Sequence, residues 1–208
     1  MSAPQEPTRS VEIERTYDAE AETPLPDWSS LPDVASVDAA ERRDLDARYF
    51  DTPALDLARA KVAIRRRTGG HDAGWHVKSS APEGRHEWGW PIVDDELTVP
   101  DAVAAAVANW ASGPFVQIAR IRNSRTAYLL RDAHGGVVAE VVDDRVRASE
   151  AATGTERAWR EWEVELGPAA PADSAWRATF FAAADALVIA AGGTVSVSDS
   201  KLGRALGR

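Results

Sequence analysis

Alternation of apolar and polar residues recurs along the chain and predicts a protein built mainly from β-strands. Near the N-terminus, the apolar Val11 and Ile13 fall on one face of the pattern. The polar residues Glu12, Glu14 and Thr16 fall on the opposite face. A period of two residues is typical of a strand that buries one face.

The same period predicts further strands and places helices between them. Strands are expected at about 45–51, 61–68, 74–79, 85–92, 115–122, 125–131, 137–143, 157–166 and 194–197. Helices are expected at about 53–60, 101–111 and 173–191, with a final turn or helix at 199–206. This predicts an α+β fold, with one domain over residues 10–208 and a flexible tail at 1–9.

Charges of one sign are grouped on individual strands of this predicted sheet. Like charges directly opposite one another are unfavourable, so an ordinary half-exposed sheet mixes the two signs. One group of strands carries the cations Arg65, Arg67 and Lys78, and another carries the carboxylates Glu161, Glu163 and Glu165. About eight such strands could close into an antiparallel barrel with a charged lumen and helices outside. A polyphosphate bridged by Mg²⁺ or Mn²⁺ would satisfy both signs.

Composition limits the classes of protein that remain. The 208 residues carry a net charge of -9, which argues against binding nucleic acid through the overall field. Cysteine is absent, so disulfides and thiolate chemistry are excluded. No run approaches the length of a membrane span, and the first residues lack an apolar signal segment. We therefore expect a cytoplasmic protein with no membrane and no nucleic-acid partner; its oligomeric state is left open.

Six short motifs, in order along the chain, resemble those of the CYTH superfamily of triphosphate tunnel metalloenzymes. They are Glu12-Ile-Glu14, Tyr49-Phe-Asp-Thr52, Ile64-Arg65-Arg66-Arg67, Trp75-His-Val-Lys78, Glu161-Trp-Glu163-Val-Glu165 and Ser200-Lys201-Leu202. Each motif alone is a weak signal, but the ordered set spans about residues 10–206. The resemblance implies an eight-stranded antiparallel β-barrel whose tunnel hydrolyses a triphosphate with Mg²⁺ or Mn²⁺.

The resemblance also implies roles for individual residues. The catalytic metal ligands would be Glu12, Glu14, Glu163 and Glu165, joined by Glu161, Glu140 and Asp144. The register of Asp143 and Asp144 remains open at this point. The triphosphate would be held by Arg65, Arg67, Lys78, Arg125 and Lys201, with Arg122 as a further candidate. Glu87 would be another tunnel residue.

Thr16 departs from the family pattern, since the opening motif usually carries a lysine at this position. The substitution is either a tolerated variant or a sign of altered substrate preference or weakened catalysis. Three functions follow. The first is hydrolysis of inorganic triphosphate or a small organic triphosphate such as thiamine triphosphate. The second is cyclisation of ATP by a class IV-type adenylate cyclase, and the third is noncatalytic binding of a triphosphate or polyphosphate.

Overall fold

Strands make up most of the chain in the computed structural model, which describes residues 6–81, 84–93, 96–198 and 200–208. The strands are β1 (Thr8–Glu12), β2 (Glu14–Ala19), β3 (Ser36–Val37), β4 (Glu41–Asp51), β5 (Val62–Thr68), β6 (Gly74–Ala81), β7 (Gly84–Trp90), β8 (Val116–Arg131), β9 (Val137–Glu150), β10 (Glu156–Leu166) and β11 (Thr194–Val195). The α-helices are α1 (Asp56–Arg59), α2 (Asp101–Ala106), α3 (Ser174–Ala191) and α4 (Lys201–Ala205).

The strands form one antiparallel sheet in the order β1-β7-β6-β5-β4-β8-β9-β10-β2-β11, with β3 added to β8. β1 pairs with β7, whereas β2 pairs with β10 at the other end of this order. Only Ile13 separates β1 from β2, so one stretch of chain joins the two ends of the curled sheet. If β1 and β2 are taken as halves of one strand, the predicted eight-stranded antiparallel barrel is confirmed.

Several predicted boundaries were wrong. β1 begins at Thr8, so residues 8 and 9 belong to the sheet rather than to the expected tail at 1–9; residues 1–5 lie outside the described part. The two strands expected at 115–122 and 125–131 form the single strand β8, because β4 and β9 pair along almost its whole length. Asp199, within the expected last element, is also outside the described residues.

Helix α3 covers one outer face of the barrel. Phe180 and Val188 of α3 are fully buried in a cluster with Tyr17 and Trp162 of the sheet. A polar contact fixes the helix as well, since Asp185 accepts hydrogen bonds from Arg15 (2.5 Å) and from the Tyr17 hydroxyl (2.9 Å). The apolar faces of the strands therefore lie outside the lumen, as the sequence pattern predicted.

The length and composition of α3 also meet the criteria for a membrane span. Its 18 residues have a mean hydropathy of 1.2, so the expectation that no run approaches the length of a span was wrong. A core helix of a folded domain meets the same criteria. In this structure, α3 lies against the sheet through Phe180, Phe181, Ala184 and Val188.

A smaller helix covers a second apolar face, on the side of β5, β6 and β7. Val103 of α2 and the following Val107 pack against Ile64 and Trp75. The helix ends at Ala106, earlier than the predicted 111. This second cluster holds the strands that carry the cationic side chains of the lumen.

We expect Phe180→Ala to lower the free energy of unfolding by about 3–5 kcal/mol, because it removes a fully buried ring and leaves a cavity. Ile189→Ala, on the same helix at a position 62% exposed, should change it by less than about 1 kcal/mol. Urea unfolding followed by tryptophan fluorescence measures both. Equal losses in the two variants would contradict this packing of α3.

Candidate functional site

A cavity of about 720 Å³ occupies the lumen of the barrel. Side chains alternate in direction along a strand, and those of Glu12, Glu14 and Thr16 in the N-terminal segment line this cavity. Across the lumen, it is lined by Arg65 and Arg67 of β5. The predicted division of each strand into an apolar outer face and a charged inner face is thus found at these positions.

Three carboxylates lie together on the wall made by β9 and β10. One ligand oxygen each from Asp144, Glu161 and Glu163 lies within 4.8 Å of the other two. Pairing of Asp144 with Glu161 across the strands brings them to the same level of the barrel. This pairing decides which of Asp143 and Asp144 faces the lumen. Asp144 is completely buried on the lumen side, whereas Asp143 forms an ion pair with Arg160 at 2.7 Å.

Two cations neutralise this acidic cluster of Asp144, Glu161 and Glu163. The Lys201 ammonium lies 3.0 Å from Asp144 and 2.5 Å from both Glu161 and Glu163. The Arg125 guanidinium makes two bonds to Asp144, at 2.8 and 2.7 Å, and one to Glu163 at 2.8 Å. Burial opposes the charge on Glu163, but Lys201 and Arg125 hold its pKa well below the usual range. Burial dominates at Glu161 and raises its pKa.

Helix α4 brings Lys201 into position. The Ser200 hydroxyl accepts a hydrogen bond from the Gly203 amide and caps the start of the helix. Leu202 and Ala205 on the same helix are buried against the barrel. Lys201, the first residue of α4, is thereby held against the acidic cluster.

A second group of charges lies around Lys78 on β6. The Lys78 ammonium lies 2.6 Å from a Glu12 oxygen and 2.8 Å from a Glu87 oxygen. Arg65 reaches Glu87 at 3.3 Å. Burial and a hydrogen bond to Glu87 raise the pKa of Glu12 to about 8. Burial opposes ionisation of Glu87, but hydrogen bonds from His76 and Glu12 lower its pKa.

The remaining predicted carboxylates line the same cavity outside the acidic cluster. Glu14 pairs with Arg85 at 2.5 Å, and Glu140 pairs with Arg43 at 2.7 Å. Glu165 lies directly across from both Glu14 and Glu140 in the sheet. Burial, followed by repulsion from Glu14, raises the pKa of Glu165 to about 7.

Arg67 has a partner that the sequence did not indicate. Its guanidinium forms an ion pair with Asp72, which belongs to the turn between β5 and β6. Burial, together with the charges of Arg65 and Arg125, lowers the pKa of Arg67 to about 9. Contact with an anionic group therefore stabilises the charged form of Arg67. A ligand that enters the lumen has to compete with Asp72 for this guanidinium.

Arg122 is the one predicted phosphate ligand that does not line this cavity. Strand alternation turns Arg125 and Asn123 inward, and therefore turns Arg122 outward. Arg122 instead lines a separate cavity of about 310 Å³ with Arg120 and Arg147. The sequence assigns Arg125 to the phosphates and keeps Arg122 as a further candidate, because the two residues fall on separate predicted strands whose relative alternation is not fixed.

Arg43 and Arg85 are two of the lumen cations that were missing from the predicted site residues. The predicted start of β4 at residue 45 excluded Arg43, which alternates inward with Leu45 once the strand begins at Glu41. Arg85 lies on the same charged face of β7 as Glu87, and this alternation in the sequence could have identified Arg85 as a lumen residue. Thr16 lines the cavity and lies directly across from Glu163 in the sheet.

The donor set of the acidic cluster fits a hard divalent cation. Carboxylate oxygens are the ligands that Mg²⁺ and related ions prefer. The Lys201 ammonium contacts all three carboxylates, so it must move aside when a cation occupies the position between them. Among the described residues, this is the only group of three or more potential ligands that lies so close together.

Comparison with known proteins gives a family and a fold. The sequence profile of the CYTH domain matches residues 11–187. Uncharacterized proteins from two strains of Mycobacterium tuberculosis, CDC 1551 and H37Rv, are each 39% identical over 175 residues. These matches cover 77% of this chain but only 34% of the relatives, so the matched region is about one third of their length.

Solved structures of the same fold come from distant organisms. A proposed adenylate cyclase from Bacillus halodurans has a TM-score of 0.62 at 15% identity, covering 94% of this chain and 97% of its own. A proposed adenylyl cyclase from Hippeastrum, described as having a dominant triphosphatase activity, has a TM-score of 0.53 at 19% identity, with coverage of 94% and 95%. Structural similarity at sequence identities this low shows that the fold is shared, and nothing further about function.

The raised pKa of Glu165 predicts that the metal-free protein loses stability as pH rises. The folded protein keeps a proton on Glu165 up to about pH 7, whereas in the unfolded chain the pKa of this carboxyl returns to 4.5. The stabilisation is complete below pH 4.5 and is lost between pH 4.5 and 7, at no more than about 1.4 kcal/mol per pKa unit. Glu165→Gln should flatten this decline, as measured by urea unfolding at pH 5 and 8 in EDTA. The exposed Glu22→Gln is the control, and an unchanged slope in Glu165→Gln would contradict the prediction.

Proposed function

The chain belongs to the CYTH domain family, and from this we propose that its lumen binds a triphosphate and hydrolyses it with a divalent cation. One observation carries the proposal: the buried cations Arg65 and Arg67 line the same cavity of about 720 Å³ as Glu161 and Glu163, and an oxygen of Asp144 lies within 4.8 Å of those two carboxylates. Such an arrangement suits an anion of high charge density together with a metal ion. The proposal concerns this domain, because the curated relatives are about three times its matched length.

The cationic residues bind and orient the phosphate chain. Arg65 and Arg67 lie two residues apart on β5, with Lys78 on the adjoining β6. Each guanidinium can hold two phosphate oxygens, whereas Lys78 supplies a compact point charge. Arg125 and Lys201 approach from the opposite wall, where they contact the acidic cluster. A triphosphate between these walls would be held along its length.

The acidic cluster would hold the cation, and Glu165, two residues along β10 from Glu163, would handle the proton. Asp144, Glu161 and Glu163 are the ligands that we assign, with Mg²⁺ or Mn²⁺ as the ion. When bound, the ion would neutralise charge on the transferring phosphoryl group. Glu165, with a pKa near 7, can orient an attacking water and accept its proton. Positioning and charge neutralisation supply most of the rate in such reactions, so no covalent enzyme intermediate is needed.

A second candidate is binding without turnover, and Lys201 favours it. Its ammonium occupies the centre of the acidic cluster, where a cation would otherwise lie. If Lys201 stayed there with ligand present, the chain would bind a triphosphate or polyphosphate without hydrolysing it. A third candidate is cyclisation of ATP, because the structural relatives from Bacillus halodurans and Hippeastrum are described as proposed adenylate or adenylyl cyclases.

We expect Glu163→Gln to reduce Mg²⁺- or Mn²⁺-dependent phosphate release by on the order of a hundredfold or more, because it removes one charged ligand of the acidic cluster. Release from inorganic triphosphate, thiamine triphosphate and ATP is measured with and without EDTA. Glu156→Gln is the matched control, since Glu156 is exposed on the same strand outside the lumen.

The outcomes separate the three candidates. Full activity in Glu163→Gln would refute the assigned metal site. Absence of phosphate release, with inorganic triphosphate still raising the Tm of the wild-type protein, would favour the binding function. Formation of cyclic AMP from ATP would favour the cyclase.

A further inference from the structure

A second cavity, separate from that of the lumen, lies where β8, β9 and β10 adjoin, and we call it the outer cavity. Its volume of about 310 Å³ is at the lower end of the range of roughly 300–1,000 Å³ that is typical of small-molecule sites. The polar and charged residues among the described ones that line it are Arg120, Arg122, Arg147, Ser149, Glu156 and Arg157. Four arginines and one carboxylate thus meet at one concave surface, although the chain as a whole has a net charge of -9.

Arg122 and Arg147 face each other across neighbouring strands of the outer cavity. They are directly opposite in the pairing of β8 with β9, and both residues are exposed. Cβ atoms of directly opposite residues lie roughly 4.5–5.5 Å apart, and like charges in this arrangement are destabilising. Within the described part of the chain, no hydrogen bond or ion pair holds either guanidinium. An anion between the two side chains would remove their repulsion and provide both with a partner.

Asp46, the carboxylate beside Arg122, already has another partner. It lies directly opposite Arg122 in the pairing of β4 with β8. Arg120, however, donates hydrogen bonds to both of its oxygens, from Nε at 2.9 Å and from Nη2. Arg48 adds a further positive charge close to the same carboxylate. One carboxylate therefore serves three guanidiniums, which leaves positive charge in excess on this wall of the barrel.

The donors around the outer cavity suit a phosphate group better than a carboxylate. A guanidinium presents its N–H groups as a planar fork that can bind two oxygens at once. Two guanidiniums can therefore use more acceptors than the pair of oxygens that a carboxylate offers, and a phosphate monoester has three. The Ser149 hydroxyl, on the residue opposite Arg120, is a further donor at the cavity. Ala158 lies opposite Arg147 on β10, and its small side chain leaves room beside that guanidinium.

We infer that the outer cavity is a second anion site, in which Arg122 and Arg147 hold a phosphate group between them. The ligand is free phosphate or a small phosphate monoester. The site does not depend on the proposed hydrolysis, because no described residue lines both this cavity and that of the lumen. Arg122, a phosphate ligand predicted from the sequence, would thus bind phosphate outside the tunnel.

Titration of the full chain with inorganic phosphate and with methyl phosphate, followed by heteronuclear NMR, tests the site. The backbone amides of Arg122, Arg147 and Ser149 report the outer cavity, whereas that of Glu163 reports any binding in the lumen. We expect the amides of the outer cavity to shift and to saturate, and acetate at the same ionic strength to leave them unchanged. A lower Kd for methyl phosphate identifies a monoester as the ligand, and an equal or higher Kd identifies free phosphate.

A pair of variants on β9 tests the role of the opposed arginines. Arg147→Gln should raise the Kd at the outer cavity by about tenfold, because charge-assisted hydrogen bonds are lost. Arg145→Gln is the matched control, since Arg145 is exposed on the same strand outside the lining of the cavity. It should change the Kd by less than about twofold. Without ligand, the Tm of Arg147→Gln should equal or exceed that of the wild type, because the repulsion from Arg122 is relieved.

Four results would overturn the inference. A lower Tm of ligand-free Arg147→Gln would assign Arg147 to the stability of the barrel. Amide shifts that never saturate, or an equal loss of affinity in Arg147→Gln and Arg145→Gln, would indicate nonspecific attraction of anions. Tighter binding of polyglutamate than of either phosphate compound would assign this surface to an acidic protein.

Discussion

Charges enclosed by the barrel have to neutralise one another, and the rest of the site depends on this constraint. Removing an ion from water costs several kcal/mol unless a partner compensates it. Lys201 and Arg125 provide that compensation for Asp144 and Glu163, and Lys78 provides it for Glu87. The lumen is thus a set of salt bridges whose members can change partners when a more highly charged ligand enters.

The carboxylates of the lumen differ in how readily they lose a proton. Burial opposes ionisation of Asp144 and Glu163, but Lys201 and Arg125 keep both ionised and ready to bind a metal ion. Glu165, two residues along β10 from Glu163, retains its proton to around neutral pH, and so does Glu12 on β1. This difference separates carboxylates suited to holding a cation from carboxylates suited to moving a proton. At Glu165, burial and repulsion from Glu14 outweigh the attraction of Lys78.

Alternation in the sequence predicted the inward face of most strands, because the side-chain period of a strand is fixed. It therefore located Glu12, Arg65, Lys78 and Glu163 correctly in the lumen. It could not resolve Asp143 from Asp144, since a one-residue shift in register reverses the face of every side chain. Only the pairing of Asp144 with Glu161 across the strands resolves that choice.

Other features of the site depend on contacts between distant segments. Asp72 reaches Arg67 from a turn, and a turn has no period from which its direction can be read. Lys201 meets the acidic cluster because α4 packs against the barrel, which neither the helix nor the strands specify alone. Such groupings follow from tertiary packing.

The short N-terminal segment that joins β7 to β10 has a consequence for how the protein reaches its native state. Thr16 pairs with Glu163, so two residues far apart in the chain must meet before the sheet closes. Contacts of such large sequence separation slow folding, because loop-closure entropy is lost before the contact forms. During synthesis, β2 must wait for β10 to leave the ribosome. The first strand to be made is therefore among the last to find both of its neighbours.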